Sequence, residues 1–133
     1  MSPTVNDNAP DTGAPPAPAL DESVLAALAA ELSDALMPEL VATFVAEARG
    51  RVAAVEQAAA DGDCARAGEQ GHALKGSAGT FGAAALHDLA SALETAGREG
   101  DLVAVRALVP RLRARGEEVL GLLQARYAAP PMP

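Results

Sequence analysis

The chain has 133 residues, carries a formal net charge of −8 at pH 7, and is half apolar, with only 2% aromatic residues. This length suits a single domain that buries about two-thirds of its unfolded surface. The acidic balance argues against a nucleic-acid partner, because phosphate contacts need clustered Lys and Arg side chains. No apolar run approaches the roughly 18 residues of a membrane span, so we expect no membrane insertion.

The N-terminus and the cysteine content predict the location of the protein. The N-terminus has no basic region followed by an apolar one, which is the pattern of a secretory signal peptide. Cys64 has no second cysteine with which to form an internal disulfide, and this fits a reducing compartment. We therefore expect a cytoplasmic protein, and we expect it to be a monomer. Cys64 itself is interpreted as a helix-start residue without a redox role.

Residues 1–20 contain five of the ten prolines, so we expect a disordered Pro/Ala-rich tail or linker there. Asp21-Glu22-Ser23 then predicts the start of a short helix. Its apolar positions follow at helical spacing and are Leu25, Leu28, Leu32 and Leu36.

The second and third predicted helices are separated by the turn Asp61-Gly62-Asp63. Pro38 suits the first turn of the second helix. After the turn, an aspartate caps the third helix, which carries His72 and ends at Gly79 to Gly82. The apolar stripe of the second helix is Val41, Phe44, Val45, Ala48, Val52, Val55 and Ala59.

Two more helices complete the pattern. A fourth runs through Leu86 and Leu93 to Gly97–Gly100, and a fifth from Asp101 toward Tyr127, with either a kink or a new helix start expected at Pro110. No segment alternates apolar and polar residues. We therefore predict an all-α fold, an antiparallel up-down four-helix bundle with a short additional N-terminal helix, over residues 21–127. Residues 128–133 are expected to be a disordered C-terminal tail.

His72 is the best candidate for a functional side chain. On a helical wheel of about 100° per residue, the opposite side is apolar, so the imidazole is expected to point outward. Glycines cost about 1 kcal/mol each in a helix interior relative to alanine, and close approach by another macromolecule would explain them. The residues within roughly 60° of His72 are Ala65, Gly68, Gly76, Gly79 and the chain's only lysine, Lys75.

Other chemistries fit the sequence poorly. His72 and His87 have no further His or Cys cluster at ligand spacing, so we expect no metal site, and His87 is interpreted as a packing or surface residue. Lys75-Gly76-Ser77 has the wrong order for a phosphate-binding P-loop, and the glycine spacing that follows does not match a dinucleotide fingerprint. We therefore expect no cofactor of its own and no autophosphorylation from ATP.

The run from His72 to Gly82 resembles the signature of the histidine phosphotransfer (HPt) domain of multistep two-component phosphorelays. The resemblance covers roughly residues 20–127 and includes the turn at Asp61–Asp63; Gly71 departs from it, since many members have a side chain there. The matching residues are His72, Leu74, Lys75, Gly76, Ser77, Ala78 and Gly82, then Leu93-Glu94 and Gly100-Asp101, and upstream Leu40 through Phe44.

The resemblance implies that Nε2 of His72 takes a phosphoryl group from a phospho-aspartate of a receiver domain and passes it to another receiver domain. The partners would be the receiver domains of a hybrid sensor kinase and of a response regulator, with Mg²⁺ supplied by the receiver. Lys75 would stabilise the phosphoryl charge, and Ser77 is interpreted as a helix-packing hydrogen-bonder. The expected docking face is Ala65, Gly68, Glu69, Gly76 and Gly79.

A second class of function stays open at this point. The same bundle could be a non-phosphorylated adaptor that binds a receiver domain or an enzyme. The presence of both His72 and Lys75 favours the phosphocarrier.

Overall fold

A computed structural model describes residues 18–128, which form five α-helices and no strand. The helices follow each other with short connections, as expected for antiparallel neighbours. They are α1 (Glu22–Leu32), α2 (Met37–Ala60), α3 (Cys64–Thr80), α4 (Ala84–Arg98) and α5 (Leu102–Arg126).

Helices α2 to α5 form a closed four-helix bundle. Helix α2 packs on α3 and α5, α4 packs on the same two helices, and the contact between α3 and α4 is the most extensive. Helix α1 lies at one end, where the Asp21 amide donates to the Gly82 carbonyl at 2.8 Å. The predicted all-α bundle with a short N-terminal helix is therefore confirmed.

Aspartate side chains cap the N-termini of three of the helices. Asp21, Asp63 and Asp101 each accept hydrogen bonds from backbone amides of the first turn of the helix that follows. Such caps satisfy donors that have no partner within the helix. Pro38 lies in the first turn of α2, where its missing N–H is harmless.

The core is built mainly from Ala, Leu and Val. Leu74 and Ala78 of α3 are fully buried, opposite the exposed side of that helix. Phe81 stacks on Phe44 with ring centroids 4.7 Å apart, which joins the end of α3 to α2. Small side chains in such numbers allow the helices to pack closely.

One expectation about the helices needs correction, and one of two alternatives at Pro110 is excluded. Leu36 does not continue the stripe of α1, because the chain turns at Ser33, where φ is +103°, and Leu36 is 48% exposed. Met37 is fully buried at the start of α2. Of the kink or new helix start expected at Pro110, the new helix start does not occur, since α5 runs through this residue.

The ends of the chain are described only in part. Most of the predicted tail at 1–20, and 129–133 of the predicted C-terminal tail, lie outside the described residues. Ala19 and Leu20 are within them and pack against the core, and the Ala85 amide donates to the Ala19 carbonyl at 3.3 Å. Contact with the bundle therefore begins before Asp21. No helix between residues 18 and 128 is long and apolar enough to cross a membrane.

Candidate functional site

His72 lies near the middle of α3, on its outer side. Its side chain is 72% exposed, whereas Leu74 two residues later is fully buried. This follows from the helical period, which places the apolar residues of α3 on the side away from His72. The structure confirms the outward orientation of His72 that the helical wheel predicts.

Glu94 of α4 reaches across to α3 and joins His72 to Lys75. One carboxylate oxygen lies 2.7 Å from His72 Nδ1, and the other lies 2.6 Å from Lys75 Nζ. The Glu94 side chain is only 17% exposed and that of Lys75 is 34% exposed. The three side chains therefore form one hydrogen-bonded cluster at the surface of the α3–α4 pair.

The cluster determines which ring nitrogen of His72 carries the proton. The Lys75 ammonium, followed by the His72 ring, lowers the pKa of Glu94 from its usual 4.5, and desolvation opposes this effect. An ionised carboxylate can only accept hydrogen bonds, so Nδ1 must be the donor. In the neutral ring, the lone pair is then on Nε2. Within residues 18–128, the structure gives Nε2 no hydrogen-bond partner.

The role of Glu94 could not be inferred from α3 alone. It lies 22 residues after His72 on a different helix, and only its presence in the Leu93-Glu94 pair of the family signature pointed to it. A helical wheel ranks positions within one helix and carries no information about which residue of the neighbouring helix lies opposite.

The four glycines of α3 fall into two pairs with different surroundings. Gly68 and Gly71 are buried against α4, where a Cβ atom would lie 3.1 Å from Gly97 Cα and 2.9 Å from the Glu94 nitrogen, respectively. Gly76 has nothing within 4 Å of its Cβ position, and Gly79 has only His87 Cδ2, at 3.5 Å. The close approach at Gly68 and Gly71, expected from another macromolecule, is therefore made by helix α4 of the same chain.

A groove of about 410 Å³ lies between α3 and α4 next to His72. Three residues of the predicted docking face, Ala65, Gly68 and Glu69, line it, whereas Gly76 and Gly79 lie on the other side of His72 along α3. The full lining is Ala65, Gly68, Glu69, His72, Glu94, Gly97 and Arg98.

His87, Ser77 and Cys64 are not part of the cluster around His72. His87 is 43% exposed and lies 3.4 Å from the Asp88 carboxylate. Ser77 donates its hydroxyl to the Ala73 carbonyl at 3.0 Å, within its own helix, and Cys64 is the first residue of α3. Across residues 18–128, no group of three or more His, Cys, Asp or Glu side chains is arranged to hold a metal ion.

Comparison with known proteins identifies the class. The family model of the Hpt domain matches residues 39–125, a segment that contains His72, Lys75 and Glu94. The chain belongs to this family and is a histidine phosphotransfer protein of the kind used in phosphorelays.

A solved structure has a similar fold over most of the chain. The chain is similar to histidine-containing phosphotransfer protein B (HptB) from Pseudomonas aeruginosa PAO1, with 30% sequence identity and a TM-score of 0.78. The similarity covers 84% of this chain and 96% of that one. The comparison with curated protein sequences gives no match.

Proposed function

We propose that His72 accepts a phosphoryl group from a phospho-aspartate of a receiver domain and passes it to an aspartate of another receiver domain. One observation carries the proposal. His72 is an exposed imidazole whose Nδ1 is bonded to Glu94, so that Nε2 is directed to the surface with its lone pair available.

The transfer needs no group on this chain beyond the cluster around His72. The Nε2 lone pair attacks phosphorus and an N–P bond forms. The bond between phosphorus and the carboxyl oxygen of the phospho-aspartate breaks, which leaves an aspartate carboxylate. The ring keeps its proton on Nδ1 and becomes cationic. The Glu94 carboxylate, 2.7 Å from Nδ1, stabilises this charge as it develops. The reverse sequence delivers the group to the next aspartate.

Lys75 would neutralise the phosphoryl charge. It lies one turn after His72, and its ammonium is bonded to the Glu94 oxygen that His72 does not use. When three phosphoryl oxygens arrive at Nε2, the ammonium can move from Glu94 to them, since a lysine side chain has four flexible methylene groups. Its charge is thus close to the reacting group without covering Nε2.

The receiver domain would dock along the exposed side of α3 and over the adjoining groove. Ala65, Gly68 and Glu69 border the groove on one side of His72, and Gly76 and Gly79 leave the surface of α3 open on the other. Small residues on both sides allow the aspartate pocket of the partner to reach Nε2. Catalysis is then mainly positioning and charge neutralisation, and Mg²⁺ is held by the receiver.

The test uses a panel of receiver domains that carry a radiolabelled phosphoryl group on aspartate, and measures transfer of the label to this protein. We expect label that is acid-labile and base-stable, absent in His72→Gln and retained in His87→Gln, which removes the other histidine of the chain. ATP and Mg²⁺ alone should give no label. Label that persists in His72→Gln would contradict the assignment.

The same experiment separates the phosphocarrier from the adaptor. An adaptor would bind a receiver domain and acquire no label, and its affinity would not depend on the His72 imidazole. Measuring binding of the unphosphorylated receiver alongside transfer distinguishes the two functions.

A further inference from the structure

Helices α3 and α4 touch through their backbones at three glycines. A Cβ atom at Gly97 would lie 2.6 Å from the Gly68 nitrogen and 2.7 Å from the Cys64 carbonyl oxygen. One at Gly71 would lie 2.9 Å from the Glu94 nitrogen and 3.0 Å from the Ala90 carbonyl oxygen. All these neighbours are backbone atoms, so a side chain could be accommodated only if one helix moved away from the other.

This glycine contact is adjacent to the cluster around His72. Gly71 directly precedes His72, and a Cβ atom on it would lie 2.9 Å from the backbone nitrogen of Glu94. Gly68 and Gly97 lie one turn further along the antiparallel pair and line the groove beside His72. The separation of the helices here sets how far the Glu94 carboxylate must reach.

The hydrogen bonds of Glu94 are sensitive to that separation. Its bonds to His72 and Lys75 are 2.7 and 2.6 Å long, and a contact of about 3.6 Å is no longer a hydrogen bond. Ordinary helix pairs lie about 8–10 Å apart, depending on the side chains between them. Each helical glycine also costs about 1 kcal/mol relative to alanine, so three at one contact need a compensating benefit.

We infer that Gly68, Gly71 and Gly97 are positioning residues, whose close contact holds the Glu94 carboxylate against His72 and so keeps the ring proton on Nδ1. They act through Glu94 and touch no reacting atom. The inference rests on the proposed function for its consequence in phosphotransfer. Its consequence for the ring itself can be measured in the unphosphorylated protein.

The experiment compares three alanine variants of the full chain. Gly71→Ala adds a methyl group against Glu94, and Gly68→Ala adds one at the milder distance of 3.1 Å from Gly97. Gly50→Ala is the matched control, because Gly50 lies in α2 with nothing within 4 Å of its Cβ position. The ring tautomer of His72 is read from its ¹⁵N chemical shifts at a pH where the imidazole is neutral, and transfer is read from labelled receiver domain.

We expect the wild type and Gly50→Ala to have the Nδ1–H tautomer. Gly71→Ala should shift the population toward Nε2–H and slow transfer by about tenfold or more, because displacements near 1 Å have such effects on reacting groups. Gly68→Ala should do the same to a smaller extent, and it keeps the test valid if Gly71→Ala does not fold. In a Glu94→Ala background, neither substitution should change the tautomer or the rate any further.

Two results would overturn the inference. One is an unchanged tautomer in folded Gly68→Ala and Gly71→Ala, and the other is an equally large effect of these substitutions when Glu94 is absent. Failure of the proposed function is distinguishable, since a wild type that takes no label while its tautomer responds to Gly71→Ala would refute only the transfer role of His72.

Discussion

At the scale of single residues, Glu94 gives the site its chemical character. It accepts from Nδ1 of His72 with one oxygen and from the Lys75 ammonium with the other, which leaves Nε2 without a hydrogen-bond partner among residues 18–128. His72 and Lys75 could be selected from the sequence because both lie on one helix. The partner that orients the ring comes from another helix and depends on tertiary register.

Removing the Lys75 ammonium should slow transfer without unfolding the bundle. In Lys75→Ala we expect a rate lower by about tenfold or more, because a cation aimed at developing phosphoryl charge is lost. Thermal stability should change little, since partly exposed ion pairs contribute little to folding. The rate is measured at matched receiver occupancy, with Lys75→Arg as the charge-preserving control. An unchanged rate in Lys75→Ala would make it an ordinary surface lysine.

Removing the Glu94 carboxylate should affect the nucleophile itself. Glu94→Ala leaves Nδ1 without an acceptor. Carboxylates that orient metal-bound histidines contribute about 10–100-fold, and we expect a loss of transfer rate of that order here. Glu94→Gln should be intermediate, because the amide offers one accepting oxygen to two donors. Single-turnover transfer rates give the comparison, with the exposed Glu99→Ala as control. Equal rates for wild type and Glu94→Ala would show that the carboxylate does not orient the ring.

At the scale of helices, the sequence predicts boundaries well where a side chain caps or breaks the backbone. Asp21, Asp63 and Asp101 begin helices as expected, and each caps through its own carboxylate. It fails at Leu36, because helical spacing of leucines can continue by chance across a turn such as that at Ser33. The glycines of α3 were visible, but whether they face another molecule or α4 depends on packing.

Bulk at Gly79 should separate docking from folding. Gly79 lies two turns beyond His72 on the exposed side of α3, and a Cβ there meets only His87 Cδ2 at an ordinary 3.5 Å. Gly79→Leu should therefore keep or slightly raise stability, as expected when a helical glycine is replaced. It should weaken receiver binding and slow transfer about tenfold or more, equivalent to at least ~1.4 kcal/mol.

Binding titrations, transfer rates and thermal melts measure the effect. Gly50→Leu is the matched control on α2, where nothing lies within 4 Å of the Cβ position. If Gly79→Leu binds and transfers like this control, the receiver approaches His72 from the groove side alone.

At the scale of the whole molecule, short connections were enough to predict the antiparallel order of the helices, and the four-helix bundle follows from it. The sequence could not give the register between α3 and α4, because that register depends on backbone contact at Gly68, Gly71 and Gly97. Both the cluster around His72 and the groove result from this register, so they became visible only in the assembled bundle.

Ion pairs also join different helices of the bundle, and three of their carboxylates have lowered pKa values. Hydrogen bonding to Arg126, Lys75 and Arg49 is the main cause for Glu22, Glu94 and Glu117, respectively. These pairs link α1 to α5, α4 to α3, and α5 to α2. A carboxylate whose pKa is lower in the folded state than in the unfolded state binds fewer protons when folded. Stability therefore rises as the pH increases from the folded pKa to the unfolded pKa.

The pH dependence of stability tests this arrangement at Glu117. Its contribution should be fully present above the usual pKa of 4.5 and should disappear as pH falls through the lowered value of the folded state. Because the Arg49 and Glu117 side chains are 41% and 56% exposed, solvent screening limits the pair to about 0.2–1 kcal/mol. For a domain of this size, that is a Tm difference of roughly a few °C.

We therefore expect Glu117→Gln to melt a few °C below wild type at pH 7, about the shift that one exposed ion pair supplies in such a domain. In strong acid, where both proteins carry a neutral group at this position, the two Tm values should converge. High salt at pH 7 should shrink the difference as well, because the pair is accessible to screening ions. Melting curves followed by circular dichroism across the acid range give the comparison. A difference that persists unchanged in acid would mean that Glu117 acts through packing on α2, and that its charge is not what links the two helices.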